Sequence, residues 1–395
     1  MSRSNRPSYI LPLIVFSQFC CTSLWFAGNG VMEDLIPAFQ LPSEALGHLT
    51  SAVQFGFILG TLVFAILSLA DRFAPSRVFF FSALIAAIAN LGLVVEQNNF
   101  ISLLLLRFLC GFFLAGIYPV GMKIAADYYR KGLGKSLSYL VGALVLGTAF
   151  PHLLNSYQGA VQWQQLILAI SLLAVLGGLL MLLFVPNGPY RKRSLVMDIG
   201  ASYKVFRSPE FRSVSMGYFG HMWELYAFWA FVPVILKQYL NLHEEMVFNL
   251  PLFSFLIIAV GSLGCIIAGK IAHRSGSKKT AQYALIISGI CCVLSPIFFW
   301  IPSFPLFISI LFVWGMAVIA DSPLLSSLVA ENAASSLKGT ALTIVNSIGF
   351  AITIVSIQLL SFLKDVIDEK LIYVILAAGP ILGWFALRNQ KKSAS

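Results

Sequence analysis

"SLADRFAPSR", residues 68–77, and "GKIAHRSGSKK", residues 269–279, are two short polar passages in an apolar chain. Each closes one long apolar run and opens the next. They are halves of a repeat. The same spacing, near 204 residues, relates Pro119 to Pro323 and "GKSLSYLVGALVLG" (134–147) to "KGTALTIVNSIGF" (338–350). "FIS" at 100 is answered by "FIS" at 307. Between the copies lies the longest hydrophilic stretch, "VPNGPYRKRSLVMDIGASYKVFRSPEFR" (185–212), which is basic.

Outward from these landmarks, runs long enough to span a bilayer fall near 10–32, 47–70, 77–97, 100–122, 136–154 and 163–185. A second set falls near 212–236, 250–271, 280–301, 304–329, 339–362 and 371–387. A spanning helix needs about 20 mostly apolar residues, and the fifth and eleventh runs are diluted by Gly, Ser and Thr. The reading is an all-α membrane protein of twelve transmembrane helices in two pseudo-symmetric six-helix bundles. Residues 1–185 form the first bundle, 186–211 a cytoplasmic linker and 212–395 the second bundle.

Composition agrees. The 395 residues are 58% hydrophobic and 11% charged, with a mean hydropathy of +0.86. Soluble domains carry about a quarter charged residues, so this chain lacks the polar surface to coat a core. The formal charge of +10 is topology rather than a nucleic-acid surface. With the N-terminus placed in the cytoplasm, 22 of the 26 Lys and Arg fall on that side. External loops hold Lys237, Lys364 and Lys370, and Arg107 lies within a helix. That bias sets orientation, so both termini are expected in the cytoplasm, with the bacterial inner membrane as the expected location. The first run follows Arg3 and Arg6 but lacks a small-x-small cleavage site, and reads as a retained helix. The six cysteines all fall inside predicted spans and read as small apolar packing rather than disulfides or metal ligands.

Repeated halves joined by a basic loop are the build of alternating-access transporters. The loop motifs carry a closer resemblance. Gly269, Ile271, Ala272, Arg274, Gly276 and Lys278 fit the pattern G-x-L-A-D-R-x-G-R-[RK], with His273 in the acidic place. Leu69, Ala70, Asp71 and Arg72 fit it in the first copy, where Leu67 and Ala74 replace the two glycines. Arg107 and Gly111 in "LLRFLCGFFLAG" supply R-x-x-x-G on helix 4. In these features the chain resembles the major facilitator superfamily over essentially its whole length. The resemblance implies a cytoplasmic gate at Asp71, Arg72 and Arg274, and a central cavity lined by helices 1, 4, 7 and 10. The G-x3-G-P pattern of proton-driven drug exporters is matched only weakly by Gly142, Gly147 and Pro151, because Phe150 precedes the proline.

Three formally charged residues lie deep in the predicted spans: Arg107, Glu224 and Asp321. An ionisable side chain inside a membrane faces the bundle interior or a water path and is a functional hypothesis by default. All three fall on cavity-lining helices by the family analogy. His221 lies three residues before Glu224, on the same helix face. A carboxyl group desolvated in an apolar cavity holds its proton, and a nearby cation releases it. Glu224, His221 and Arg107 are therefore the expected proton-coupling residues. Trp25, Asn29, Arg107, Glu224 and Asp321 are the expected substrate-binding residues. Bland alternatives stand beside these: Arg107 as a strut on backbone carbonyls of helix 1 or 5, Asp321 as a partner for a proline-kinked helix, and His221 as packing.

The function expected is secondary active transport of a small solute, coupled to protons. The alternatives are a uniporter or cation-coupled porter, or a membrane solute sensor on the same fold. Partners expected are the solute, protons and the lipid bilayer, with no nucleic acid, and the chain as a monomer. "GLGKS" (132–136) lacks the upstream glycine of a phosphate loop and follows a helix rather than a strand. Neither an ATP site, metal-ligand spacing nor a catalytic triad is seen, so no enzyme, cofactor or metal is expected.

Overall fold

The computed structural model describes residues 8–129, 133–157, 162–191, 205–333 and 337–388. Ten helices are long and apolar enough to cross a membrane. We number the spans in chain order: α2 Ala45–Ile66, α3 Pro75–Val94, α4 Phe100–Tyr128, α5 Ser136–Asn155, α6 Trp163–Phe184, α7 Pro209–Leu242, α8 Leu250–Ser275, α9 Ser277–Phe298, α10 Phe304–Glu331 and α11 Lys338–Leu363. Two shorter apolar helices, α1 Ile10–Thr22 and α12 Ile372–Arg388, complete the twelve.

The diluted runs, α5 and α11, are full-length spans. Their Gly, Ser and Thr residues let neighbouring backbones approach, which is how helices associate in lipid. The first run differs from expectation: α1 stops at Thr22, and short helical pieces Ala27–Gly30 and Met32–Ala38 follow. In the sequence "SLWFAGNG" two glycines and a serine weaken the helix where it breaks. α10 also breaks, after Ala320, and resumes at Ser322 with Pro323 in its first turn. The proline has no N–H to continue the ladder. α4 breaks at the equivalent place, between Leu114 and Tyr118–Pro119.

The repeat is visible in the packing. A Cβ at Gly60 on α2 would lie 2.1 Å from the carbonyl oxygen of Phe112, and one at Gly111 on α4 2.0 Å from that of Val53. Gly264 on α8 stands 2.4 Å from the carbonyl of Met316 by the same measure, and Gly315 on α10 2.2 Å from that of Ile257. Gly60 and Gly264, like Gly111 and Gly315, are about 204 residues apart. Each half thus presses one helix pair into backbone contact at corresponding positions.

The start of α1, the end of α12 and the described chain flanking residues 192–204 share one end of the bundle, here called proximal. Among the described residues, the hydrogen bonds and ion pairs that cross between the halves lie at the other, distal end. Lys237 Nζ meets Glu33 Oε1 at 2.6 Å, and Lys364 Nζ donates to the carbonyl of Ser43 at 2.6 Å. Gln358 Nε2 donates to Ser51 Oγ at 2.9 Å, and Asn249 Nδ2 to the carbonyl of Ser156 at 2.7 Å. Partial burial, with Glu33 beside it, raises the Asp34 carboxyl above its ordinary value. The acids of this mouth repel each other, and Lys237 offsets one of them.

Candidate functional site

The buried charges assemble in two places, one in each half. In the second half, α7 and α10 run antiparallel and are joined by two polar contacts. His221 Nδ1 lies 2.7 Å from Asp321 Oδ1. The angle is outside hydrogen-bond geometry, since Asp321 Oδ1 has no hydrogen-bond partner, so the contact is electrostatic. One turn on, Trp314 Nε1 donates to Glu224 Oε1 at 2.6 Å, and the thiol of Cys292 on α9 lies 3.2 Å from the same oxygen. All three titratable groups are 1% exposed. Asp321 sits at the break in α10, where the interrupted helix makes room for its side chain. Burying a charge is costly without a partner, and here both carboxyl groups have one.

In the first half, Arg107 does not meet Glu224. Its Nη1 donates to the carbonyl of Leu24 at 3.2 Å and to Asn90 Oδ1 at 3.3 Å, and its Nη2 to the carbonyl of Trp25 at 2.5 Å. The break in α1 leaves both carbonyls open to a side-chain donor, with Leu24 O taking only a long 3.4 Å bond from Ala27 N besides. In a bilayer core no water can satisfy them, and the planar fork of Arg can serve adjacent acceptors together. This is the alternative of Arg107 as a strut on backbone carbonyls of helix 1, although the sequence around Arg107 does not single out Leu24 and Trp25. The signal lay in the helix-weakening "SLWFAGNG" about 80 residues away.

Between the halves, at mid-depth, lies an aromatic layer. The Trp25 ring stacks at 5.7 Å on Tyr226 and at 5.7 Å on Phe350, and packs at 4.8 Å on Phe57. Trp229 joins through Tyr226 at 5.3 Å and Phe26 at 6.4 Å. Tyr226 follows His221 by five residues, so the layer lies about 7 Å distal of the His221–Asp321 pair at the rise of a helix. Proximal of the layer stand Tyr218, with its ring 6.0 Å from His221, and Tyr118 of α4, within electrostatic reach of Tyr218 and Tyr226. In the layer, Trp25 Nε1 and Trp229 Nε1 have no protein hydrogen-bond partner, and on α2 neither has either amide atom of the buried Gln54. Asn29, expected beside Trp25, instead donates to Thr50 Oγ1 at 2.8 Å and ties the chain after α1 to α2.

At the proximal end, Asp71 pairs with Lys123 of α4 at 2.8 Å. Arg191, from the start of the linker, donates to the carbonyls of Asp71 at 3.0 Å and Phe73 at 2.7 Å. These contacts tie the motif within its own half and to the linker. Arg72 closes the short helical turn Leu69–Arg72, and Arg274 lies in the last turn of α8. The missing glycines have a structural explanation. The first copy turns at Ser68, with φ +49, and is extended at Ala74. The second copy turns at Gly276, with φ +84, where the left-handed region favours glycine. The six cysteines are buried and free. "GLGKS" lies partly outside the described residues, as do half of the linker (residues 192–204) and most of the C-terminal tail.

The sequence matches the family model of the Major Facilitator Superfamily over residues 14–357. The chain belongs to the Major Facilitator Superfamily. Solved structures agree on the fold. A bacterial homolog of the human lysosomal transporter Spinster, captured inward-facing and unoccupied, superposes with a TM-score of 0.71 at 15% identity, covering 100% of both chains. The nucleoside transporter NupG, in a mutant form, superposes with a TM-score of 0.72 at 15% identity over 97% of this chain and 99% of its own. No curated protein matches the sequence itself. The superfamily member described here is a multi-pass membrane transporter of small molecules.

Proposed function

We propose that this transporter works by alternating access and moves its solute together with protons across a bacterial inner membrane, as a monomer with both termini in the cytoplasm. The distal end is then external, and the arrangement described is the one closed to the outside. The observation that carries the reading is the pair of buried contacts between α7 and α10. With His221 protonated and both acids ionised, the group sums to −1, and one proton on Glu224 makes it neutral. Neutral and charged states differ greatly in their cost of burial. Proton binding therefore favours the packed form of α7 against α10, and proton loss favours a form in which water reaches Glu224. The solute site lies proximal of the aromatic layer, among Trp25, Tyr118, Tyr218, His221 and Asp321. Asp71, Arg72 and Arg274 belong to the proximal gate.

Glu224→Gln in proteoliposomes tests this. Accumulation driven by a proton gradient is expected to disappear while solute exchange persists. Accumulation at the wild-type level sinks the coupling role of Glu224.

One observation favours a second reading. The carboxylate of Glu224 is already held by donors from two helices, the indole of Trp314 and the thiol of Cys292, as a structural carboxylate would be. The transporter would then be a uniporter or cation-coupled porter, and a protonophore would leave its uptake unchanged.

A further inference from the structure

We propose that Arg107 is a positioning residue for the aromatic layer that closes the distal side: it sets Trp25, and through Trp25 the seal between the halves. Arg107 is buried and bonds the carbonyls of Leu24 and Trp25 and the side chain of Asn90. Asn90 is itself fixed, its Nδ2 donating to Ser171 Oγ on α6 at 3.0 Å. A continuous chain therefore runs from α6 through α3 and α4 to the break in α1. The residue at its end, Trp25, offers its carbonyl to that chain and its ring to the other half. Within the seal it alone stacks near-parallel on both Tyr226 and Phe350, at interplanar angles of 24° and 28°. The backbone of the α1 break holds Trp25 by one ordinary bond, its N–H to Thr22 O at 3.0 Å, while the flanking bonds from Leu24 N to Cys21 O and from Ala27 N to Leu24 O are long, at 3.4 Å each.

Two further observations set Arg107 apart from a charge partner for solute or proton. Among the described residues, no carboxylate lies within ion-pair distance of it. Gly28, one residue past the start of the next helical piece, leaves room for it: a Cβ there would stand 3.3 Å from Arg107 Nε. The stem of the arginine is thus moulded to the broken helix. The role goes beyond coupling and needs only that the halves part at the distal end.

The test uses the full-length protein in lipid, with Ser51→Cys and Gln358→Cys as a reporter pair across the halves. Their side chains are 2.9 Å apart when the distal end is closed. The rate of cross-linking by a short bifunctional thiol reagent reads closure without any transport, and the buried native cysteines are controlled for in the protein lacking the pair. Arg107→Lys is expected to keep most of the rate, since it still donates to carbonyls. Arg107→Gln and Trp25→Ala are each expected to slow it about tenfold, and the double variant no further. An unchanged rate in Arg107→Gln overturns the proposal, and so do effects that multiply in the double variant. If Arg107→Gln does not fold, Gly28→Val takes its place, its branched side chain reaching past a Cβ position already 3.3 Å from Arg107 Nε and so displacing the guanidinium from its carbonyls. A several-fold slower rate supports the proposal, and an unchanged rate overturns it. A protein that cross-links normally yet transports nothing would count against the transport reading alone.

Discussion

His221 and Asp321, 100 residues apart in the chain, meet at 2.7 Å inside the second half. They join α7 to α10 at the point where α10 breaks. Removing one partner of a buried pair leaves an unmatched charge and costs about 3–5 kcal/mol, whereas apolar replacement of both is often close to neutral. His221→Ala is therefore expected to lower stability strongly, and His221→Ala with Asp321→Leu to recover most of the loss. Thermal unfolding in detergent would measure both. A double variant no better than the single would show that the pair is not coupled.

Trp314 supplies Glu224 with its 2.6 Å donor. Trp314→Phe keeps most of the ring packing against Phe228 but leaves the carboxylate with the weaker thiol donor of Cys292. The expected cost is about 1–3 kcal/mol for the lost bond to a buried acceptor. Trp300, 71% exposed, is the control: Trp300→Phe should stay within about 0.5 kcal/mol. Equal melting of the two variants would remove Trp314 as a partner of Glu224.

The close approach of α2 to α4 and of α8 to α10 leaves no room for a methyl group. Gly111→Ala and Gly315→Ala are expected to cost at least about 1–3 kcal/mol each, because the obstacle is a backbone carbonyl rather than a flexible side chain. Gly269→Ala and Gly339→Ala meet nothing within 4 Å and should be neutral or slightly stabilising. A denaturation series on the four variants checks the contrast.

The coupling reading separates from its rival by uptake. Dissipating the proton gradient with a protonophore should abolish accumulation in the wild type and leave the residual exchange of Glu224→Gln untouched. Wild-type accumulation that survives the protonophore would assign the driving force elsewhere.

Much of the fold was legible in the sequence, because lipid leaves few options: apolar length fixes the spans, and the basic loops fix a topology. The repeat also left its mark in glycines, since Gly60 and Gly264 keep the spacing that Pro119 and Pro323 show. The partners of the buried charges were less legible. Arg107, Glu224, His221 and Asp321 stood out as costly residues, but cost does not say what compensates them. Glu224 turns to an indole on α10, and Arg107, in line with its alternative reading as a strut on helix 1, to the carbonyls of Leu24 and Trp25 at the break in α1. Such partners come from remote segments and from backbone geometry, neither of which a helical period records. Asn29 shows the same limit: its spacing from Trp25 suggested a shared stripe, whereas its amide turns to Thr50.

The unsatisfied groups of the aromatic layer have an energetic meaning. The indole N–H groups of Trp25 and Trp229 are buried with no protein hydrogen-bond partner while the rings are stacked. Each such group costs about 1–3 kcal/mol relative to being hydrated, against the stacking gained by the rings. Parting of the halves, as the proposed alternating access requires, would bring water to these indoles, and their hydration would offset part of the stacking lost.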